Sequence, residues 1–177
     1  MTSHSVLVNR APVLTLWGTI VAERLGHPRG TSLTLGKAVA GLNAQSKGRR
    51  LGIFEPAEAR PAGKKAAKPR PARESIELLG RAVPVVHTPD GIRALAKDTP
   101  ESPESVERYL SQKFGPALAE VEAAMRLLAR AYPPKRLAVI GFELYERFRP
   151  VVPEGTRGWG AKGRLDLDTI RALADEA

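Results

Sequence analysis

The sequence predicts a mainly α fold, in which an N-terminal helical hairpin precedes a helical body with at most a short β element. Two observations support this fold class. Aromatic residues make up only 5% of the 177 residues, so a core of Leu, Val, Ile and Ala must pack largely between helices. Several segments also carry apolar residues at three- and four-residue steps, bounded by the glycines and prolines that end helices.

Two apolar segments on either side of a turn predict the N-terminal hairpin. In residues 12–26 the apolar side chains recur at helical spacing, and Gly26 suits the residue that ends a helix. The segment HPRG then forms a turn, after which a helix capped by Thr31 or Ser32 runs to about Ser46.

Part of this hairpin resembles the helix-turn-helix motif of DNA-binding proteins. Ala22 and Gly26 have the spacing of the small residue and the turn glycine in that motif, where alanine allows close packing and glycine allows the turn. The turn HPRGTS is longer than usual, and Ala-x-x-x-Gly also occurs in hairpins that only pack in a core. Both interpretations stay open at this point.

The rest of the chain is predicted to form the helical body. Residues 81–88 have strand character, and Pro84 is expected to confine that strand to a sheet edge. Pro89-Asp90-Gly91 forms a turn, or caps a short helix that runs to Lys97. Further helices are predicted at residues 75–80, after a cap at Ser102, and at residues 116–131, 135–148 and 168–174.

Composition divides the chain into three parts. Residues 55–73 are rich in Pro, Ala, Lys and Arg and contain no Leu, Ile, Val or aromatic residue. Such a segment buries too little apolar surface to offset its ordering entropy, so it is expected to be a flexible basic linker. The predicted domains are therefore residues 1–54, a linker at 55–74, and a mainly helical domain at 75–177.

The positive charge is concentrated toward the N-terminus. The formal net charge is +9, and residues 1–42 carry +3 of it while residues 43–82 carry +6. The remaining residues contribute −1 up to residue 132 and +1 after it, so their charges cancel. A surplus placed in this way favours a polyanionic partner, and nucleic acid is the first candidate.

Other classes are excluded or disfavoured by composition. The chain has no cysteine, so disulfides, thiolate nucleophiles and cysteine zinc sites are excluded. Its three histidines are scattered, and we predict neither a metal nor a cofactor. No segment approaches the ~20 apolar residues of a membrane span, and no secretion signal is recognisable. We therefore expect a cytoplasmic protein with no membrane partner, and the Ala- and Arg-rich usage suggests a bacterial one.

The first candidate interface is the segment NAQSKGRRLG and the linker that follows it. Lys47, Arg49 and Arg50 supply charge around Gly48, which would let a phosphate backbone approach closely. Basic residues at a helix C-terminus also complement the helix dipole, which is the competing structural explanation. The linker adds further cations that would contact phosphates without reading sequence, namely Lys64, Lys65, Lys68 and Arg70, together with Arg60 and Arg73.

A second candidate patch lies near the C-terminus, in TRGWGAKGRL. Arg157, Lys162 and Arg164 surround Trp159, whose ring could stack on a base or could simply anchor the loop by packing. The segment also contains a formal GxGxxG, the pattern of a dinucleotide-binding loop. It lacks the surrounding βαβ unit and the downstream acidic residue of such a site, so a dinucleotide site is rejected.

The predicted function is therefore non-enzymatic binding of nucleic acid, with DNA as the expected form. The first alternative is a protein-interaction or dimerisation module, in which the hairpin forms a homodimer and the charge serves solubility. The second is a metal-dependent nuclease that uses Asp166, Asp168 and Glu143, since paired carboxylates can bind Mg²⁺. His87 near Asp90 is a further, weaker candidate for a catalytic base.

Overall fold

The computed structural model describes residues 5–50, 74–96, 99–151 and 163–176, with the backbone alone for residues 44–50 and 96. Its helices are α1 (Arg10–Arg24), α2 (Arg29–Arg50), α3 (Pro103–Phe114), α4 (Leu118–Arg130), α5 (Pro134–Phe148) and α6 (Leu167–Asp175). Its strands are β1 (Ser5–Val8), β2 (Ser75–Leu78), β3 (Arg81–Thr88), β4 (Gly91–Ala96), β5 (Thr99–Pro100) and β6 (Gly163–Asp166). They form two antiparallel sheets, one with the order β2-β3-β4-β5 and one that pairs β1 with β6.

The predicted mainly α fold with at most a short β element is wrong, because the chain is a mixed α/β protein. Residues 75–80, expected as a short helix, contain β2 instead. Of the two alternatives for Pro89-Asp90-Gly91 the turn is the one observed, at residues 89–90, and Gly91–Ala96 forms β4 rather than a short helix. Leu79 and Gly80 join β2 to β3 with φ angles of 51° and 78°, the positive values that a tight two-residue hairpin turn requires. Leucine is strained in this conformation, and burial of its side chain offsets the strain.

The prediction that Pro84 confines β3 to a sheet edge is also wrong, since β3 lies between β2 and β4. The two ladders are staggered along the strand. Strand β2 pairs with residues 81–84 and β4 pairs with residues 85–88, so Pro84 lies outside the ladder with β4. The stagger lets an inner strand contain a residue that has no N–H to donate.

Helix α1 is the central element of the core. Every residue from Pro12 to Ala22 is buried, including Thr15, Gly18 and Thr19, so the helix is enclosed on all sides rather than along one apolar face. It packs against α2, α3, α4, α5 and β2. The predicted helix over residues 12–26 is therefore present, and Gly26 follows its end with a φ of 109°.

A buried aromatic cluster fixes α1 against α5. The Trp17 indole N–H donates to the carbonyl oxygen of Gly141 at 2.9 Å, and its ring meets Phe148 edge to face at 5.3 Å. Tyr145 packs edge to face on Phe148, and burial raises the pKa of its hydroxyl to about 12. Gly141 leaves room for Leu79, whose Cδ2 lies 2.6 Å from where a Cβ would be.

Helices α1 and α2 approach each other most closely at two glycines. A Cβ added to Gly36 would overlap the carbonyl oxygen of Thr15 and would lie 2.6 Å from Thr19 Oγ1. A Cβ on Gly18 would lie 3.0 Å from the Cα of Gly36. Only a residue without a side chain fits at position 36, so this glycine sets the distance between the two helices.

Two buried threonines of α2 attach this helix to the backbone of β4. The hydroxyl of Thr31 donates to the carbonyl oxygen of Ile92 at 2.8 Å. The N–H of Ala94 donates to Thr34 Oγ1 at 3.0 Å, and that hydroxyl donates to the carbonyl oxygen of Thr31. The first half of α2 is therefore enclosed between α1 and the larger sheet.

This enclosure overturns the helix-turn-helix interpretation. In that motif the N-terminal residues of the second helix contact base edges in the major groove. Here Thr31 to Gly36 are all buried, so they have no free surface to offer a groove. The hairpin also shares one apolar core with the later elements. The division into residues 1–54, 55–74 and 75–177 stays a prediction, since most of its linker lies outside the described residues.

Several helix boundaries follow their predicted signals. Ser102 accepts a hydrogen bond from the N–H of Ser105 at the start of α3, with Pro103 as the first helical residue. Pro133 and Pro134 separate α4 from α5 as expected. The last helix begins at Leu167, one residue before its predicted start, and its cap is Asp166, which accepts from the N–H of Asp168 at 2.9 Å.

Replacing Gly36 by alanine should lower the free energy of unfolding by about 1–3 kcal/mol, because the added methyl group must separate α1 from α2. Gly41 on the same helix is the matched control, since a Cβ there meets nothing within 4 Å. Gly41→Ala should leave the stability unchanged or raise it by up to about 1 kcal/mol through helix propensity. Urea denaturation of both variants checks this, and equal effects would contradict the close contact.

Replacing Thr34 by valine should lower the free energy of unfolding by about 1–3 kcal/mol, because the buried N–H of Ala94 loses its acceptor. Thr34→Ser keeps the hydroxyl and is expected to cost less than the valine variant. Urea denaturation distinguishes the two. A valine variant as stable as the serine variant would show that this hydroxyl does not hold α2 to β4.

Candidate nucleic-acid interface

The three cations of the first predicted patch belong to the last turn of α2. The helix was expected to end near Ser46 and to leave Lys47, Arg49 and Arg50 in a loop, but its backbone continues to Arg50. The side chains of these residues lie outside the part of the chain that the structure describes. Their backbone lies in the last turn of a helix whose residues 31–36 are buried.

The continuation of α2 has a physical reason in the sequence. Gln, Lys and Arg are good helix formers, Gly48 alone is a modest penalty, and the next proline is Pro56. Positive charge in the last turn also complements the partial negative charge of a helix C-terminus. Three cations there are therefore compatible with helix stabilisation as well as with an interface.

Most of the other predicted contacts lie outside the described residues. This holds for the linker cations Lys64, Lys65, Lys68 and Arg70, and for Arg157, Trp159 and Lys162 of the second patch. Arg164 is described, and it lies exposed on β6 rather than in a loop. It stands opposite Leu7 on one side and Val151 on the other. Whether the two patches form one surface stays a prediction.

The net charge of the protein lies almost entirely in one segment. Residues 47–73 contain nine Lys or Arg and two Glu, a net charge of +7 out of the total +9. The rest of the chain therefore carries 19 cations against 17 acidic residues, which leaves a net charge of +2. The surplus begins in the last turn of α2 and ends just before β2.

Many charges of the folded body are paired with each other. Arg29 Nη1 lies 3.2 Å from both Glu23 Oε1 and Glu122 Oε2. Arg126 Nη2 lies 3.2 Å from the same oxygen of Glu23 and 2.6 Å from that of Glu122. These four side chains join α1, α2 and α4 with no net charge. The hydrogen bond to Glu122 is the main reason that the pKa of Arg126 is raised.

Further pairs neutralise the C-terminal part of the body. Arg147 Nη2 lies 3.1 Å from Glu176 Oε1. Arg171 pairs with Asp168 at 3.2 Å and with Glu120 at 3.8 Å. Because these pairs are partly exposed, each contributes little to stability. Their consequence is electrostatic, since paired cations attract a polyanion less than unpaired ones.

Two contacts near α2 have no signal in the sequence. Asn43, the first residue of the segment NAQSKGRRLG, accepts through Oδ1 from Arg81 Nη2 at 3.4 Å. Lys37 Nζ lies 4.7 Å from the centre of the Tyr109 ring, and Lys113 Nζ lies 6.0 Å from it. Long separations along the chain hide the Arg81–Asn43 and Lys37–Tyr109 contacts from sequence patterns, whereas Lys113 lies only four residues after Tyr109 on α3.

Three of the four residues considered for catalysis have structural partners. Asp166 caps α6, and Asp168 pairs with Arg171. His87 pairs with Glu74 at 2.8 Å, not with Asp90, and both side chains are exposed. Glu143 is exposed on α5. Over the described ranges, no group of three or more His, Asp or Glu is arranged to hold a metal ion.

Comparison of the chain with protein-family models, curated proteins and solved structures finds no match. Among the helices that the structure describes, none combines the length and the apolar character needed to cross a bilayer.

Proposed function

We propose that the protein binds nucleic acid, with duplex DNA as the expected form, through cations at the end of α2 and in the segment that follows. The single observation that supports this proposal is the placement of the charge. A net charge of +7 occupies residues 47–73, whereas the remaining residues are close to neutral.

The fold supplies a rigid base for these cations. The first half of α2 is fixed by its contacts with Thr15 and Thr19 of α1 and by its threonine bonds to β4. Since a helix rises 1.5 Å per residue, the segment from Gly36 to Arg50 is about 21 Å long. It extends from this fixed point to the start of the basic segment.

The expected binding mode is contact with phosphates rather than with base edges. Lysine and arginine side chains neutralise phosphates and release condensed counterions, which makes the affinity strongly dependent on salt. The nine cations of residues 47–73 would make contacts of this kind. The buried N-terminal half of α2 offers no recognition helix, so the proposal includes no readout of base sequence. A cytoplasmic location belongs to the same proposal.

Replacing Lys47, Arg49 and Arg50 together by alanine should weaken binding to a short DNA duplex and reduce its dependence on salt. Each lost phosphate contact changes the slope of log affinity against log salt by about 0.9, so three lost contacts change it by about 2–3. Fluorescence anisotropy titrations at four or more salt concentrations give this slope.

The matched control replaces three exposed cations of the body, Arg108, Lys135 and Arg136, by alanine. It changes the net charge equally and should leave most of the slope intact. An equal fall of the salt slope in both triple variants would indicate unspecific charge attraction. An unchanged slope in the variant of Lys47, Arg49 and Arg50 would remove the end of α2 from the interface.

A further inference from the structure

A small cavity lies between α1 and α4, at the opposite end of α2 from the basic segment. Its volume is about 240 Å³, and it is lined by Ile20, Glu23, Arg24, Arg126, Ala129 and Arg130. Ile20 and Ala129 are buried and form an apolar floor, while three guanidinium groups and one carboxylate surround it. Pockets for drug-sized ligands measure about 300–1,000 Å³, so this cavity suits a single small group.

Two of the three arginines are held in place by bonds that leave other donors uncommitted. Arg24 donates from Nε to the carbonyl oxygen of Ala129 at 3.3 Å and from Nη2 to that of Tyr132 at 3.0 Å. Arg126 is fixed through Nη2 alone, by its bonds to Glu23 and Glu122. Nη1 of Arg24, and Nη1 and Nε of Arg126, have no protein acceptor among the described residues.

Arg130 differs from these two arginines. It is exposed, and it has no hydrogen bond or ion pair with any residue that the structure describes. It lies four residues after Arg126 on α4, so the two side chains leave the same face of the helix. Arg24 caps the end of α4 through its bonds to Ala129 and Tyr132, whereas Arg130 makes no such bond to the described residues.

The charge around the cavity favours an anion. The lining carries three positive charges and one negative charge, a net charge of +2. Just outside it, Arg29 and Glu122 cancel each other through their 3.2 Å contact. The helix C-termini of α1 and α4 add partial negative charge, which Arg24 and Arg130 oppose. A bound dianion would neutralise the remaining surplus.

We infer that this cavity binds a phosphate group through Arg24, Arg126 and Arg130. Guanidinium groups match the geometry of phosphate oxygens and form charge-assisted hydrogen bonds with them. Fixed arginines lose little freedom when the ligand enters, which favours binding. The site is independent of the interface proposed above, because it adjoins Arg29, about 31 Å along α2 from Arg50.

The test is a titration of the isotopically labelled full chain with inorganic phosphate, followed by nuclear magnetic resonance of the arginine Nε–H groups and the backbone amides. Sodium chloride at matched ionic strength is the reference. Saturable shifts are expected for Arg24, Arg126 and Arg130 and for the amide of Ala129. Absence of a saturable response beyond that of chloride would overturn the inference.

Of the three arginines that line the cavity, Arg130 alone has no hydrogen bond or ion pair with a described residue, so the fold should persist in Arg130→Ala. The dissociation constant for phosphate should rise about tenfold, the value of one charge-assisted hydrogen bond. Arg108→Ala, an exposed arginine on α3, should leave it unchanged. An Arg130→Ala variant that binds phosphate as tightly as the original chain would contradict the assigned site.

A second titration with duplex DNA at equal phosphate content identifies the source of the phosphate. Shifts of the same arginines at lower concentration than with inorganic phosphate would indicate a nucleic-acid backbone. Shifts with inorganic phosphate alone would indicate a small phosphorylated ligand. Either result supports a phosphate site, whereas an absence of saturable shifts with inorganic phosphate overturns it, whatever the duplex does.

Discussion

The contact between Gly36 and the backbone of Thr15 and Thr19 is the constraint on which the rest of the fold depends. It brings α2 so close to the buried helix α1 that no side chain fits between them. This closeness places Thr31 and Thr34 against the backbone of β4, where their hydroxyls bond to Ile92 and Ala94. The larger sheet is thereby joined to the helical core through α2.

The same constraint divides α2 into two structurally different halves. In the first half, residues 31–36 are buried against α1 and the larger sheet, so they offer no surface to a partner. The second half extends to Arg50 and ends where the surplus of positive charge begins. The chain outside residues 47–73 carries a net charge of only +2, and four of its described arginines are held in ion pairs, among them Arg29 and Arg126 with Glu23 and Glu122. The fold thus supplies a nearly neutral support to which one strongly basic segment is attached.

Sequence patterns predicted the parts of the fold that local chemistry determines. The cap at Ser102, the break at Pro133 and Pro134 and the glycine after α1 are confirmed, because each acts within a few residues. The strands β2 and β4 were missed although both pair with β3 across tight turns, because contacts that stabilise the sheet, such as those of Thr31 and Thr34 with β4, come from distant parts of the chain. The Leu-Gly turn also lacks the usual hairpin residues, and buried Leu79 is what stabilises it. The arginine cavity was missed for the same reason, since Arg24 and Arg130 meet only in three dimensions.

Hydrogen–deuterium exchange of the full chain, with and without a short DNA duplex at low ionic strength, tests most directly where a polyanion binds. If the charge segregation serves binding, the duplex should slow exchange in peptides that cover residues 43–73. Peptides from α5, α6 and the larger sheet should exchange at the same rate in both samples. Unchanged exchange over residues 43–73, under conditions in which the duplex is bound, would contradict the assignment of the interface to this segment.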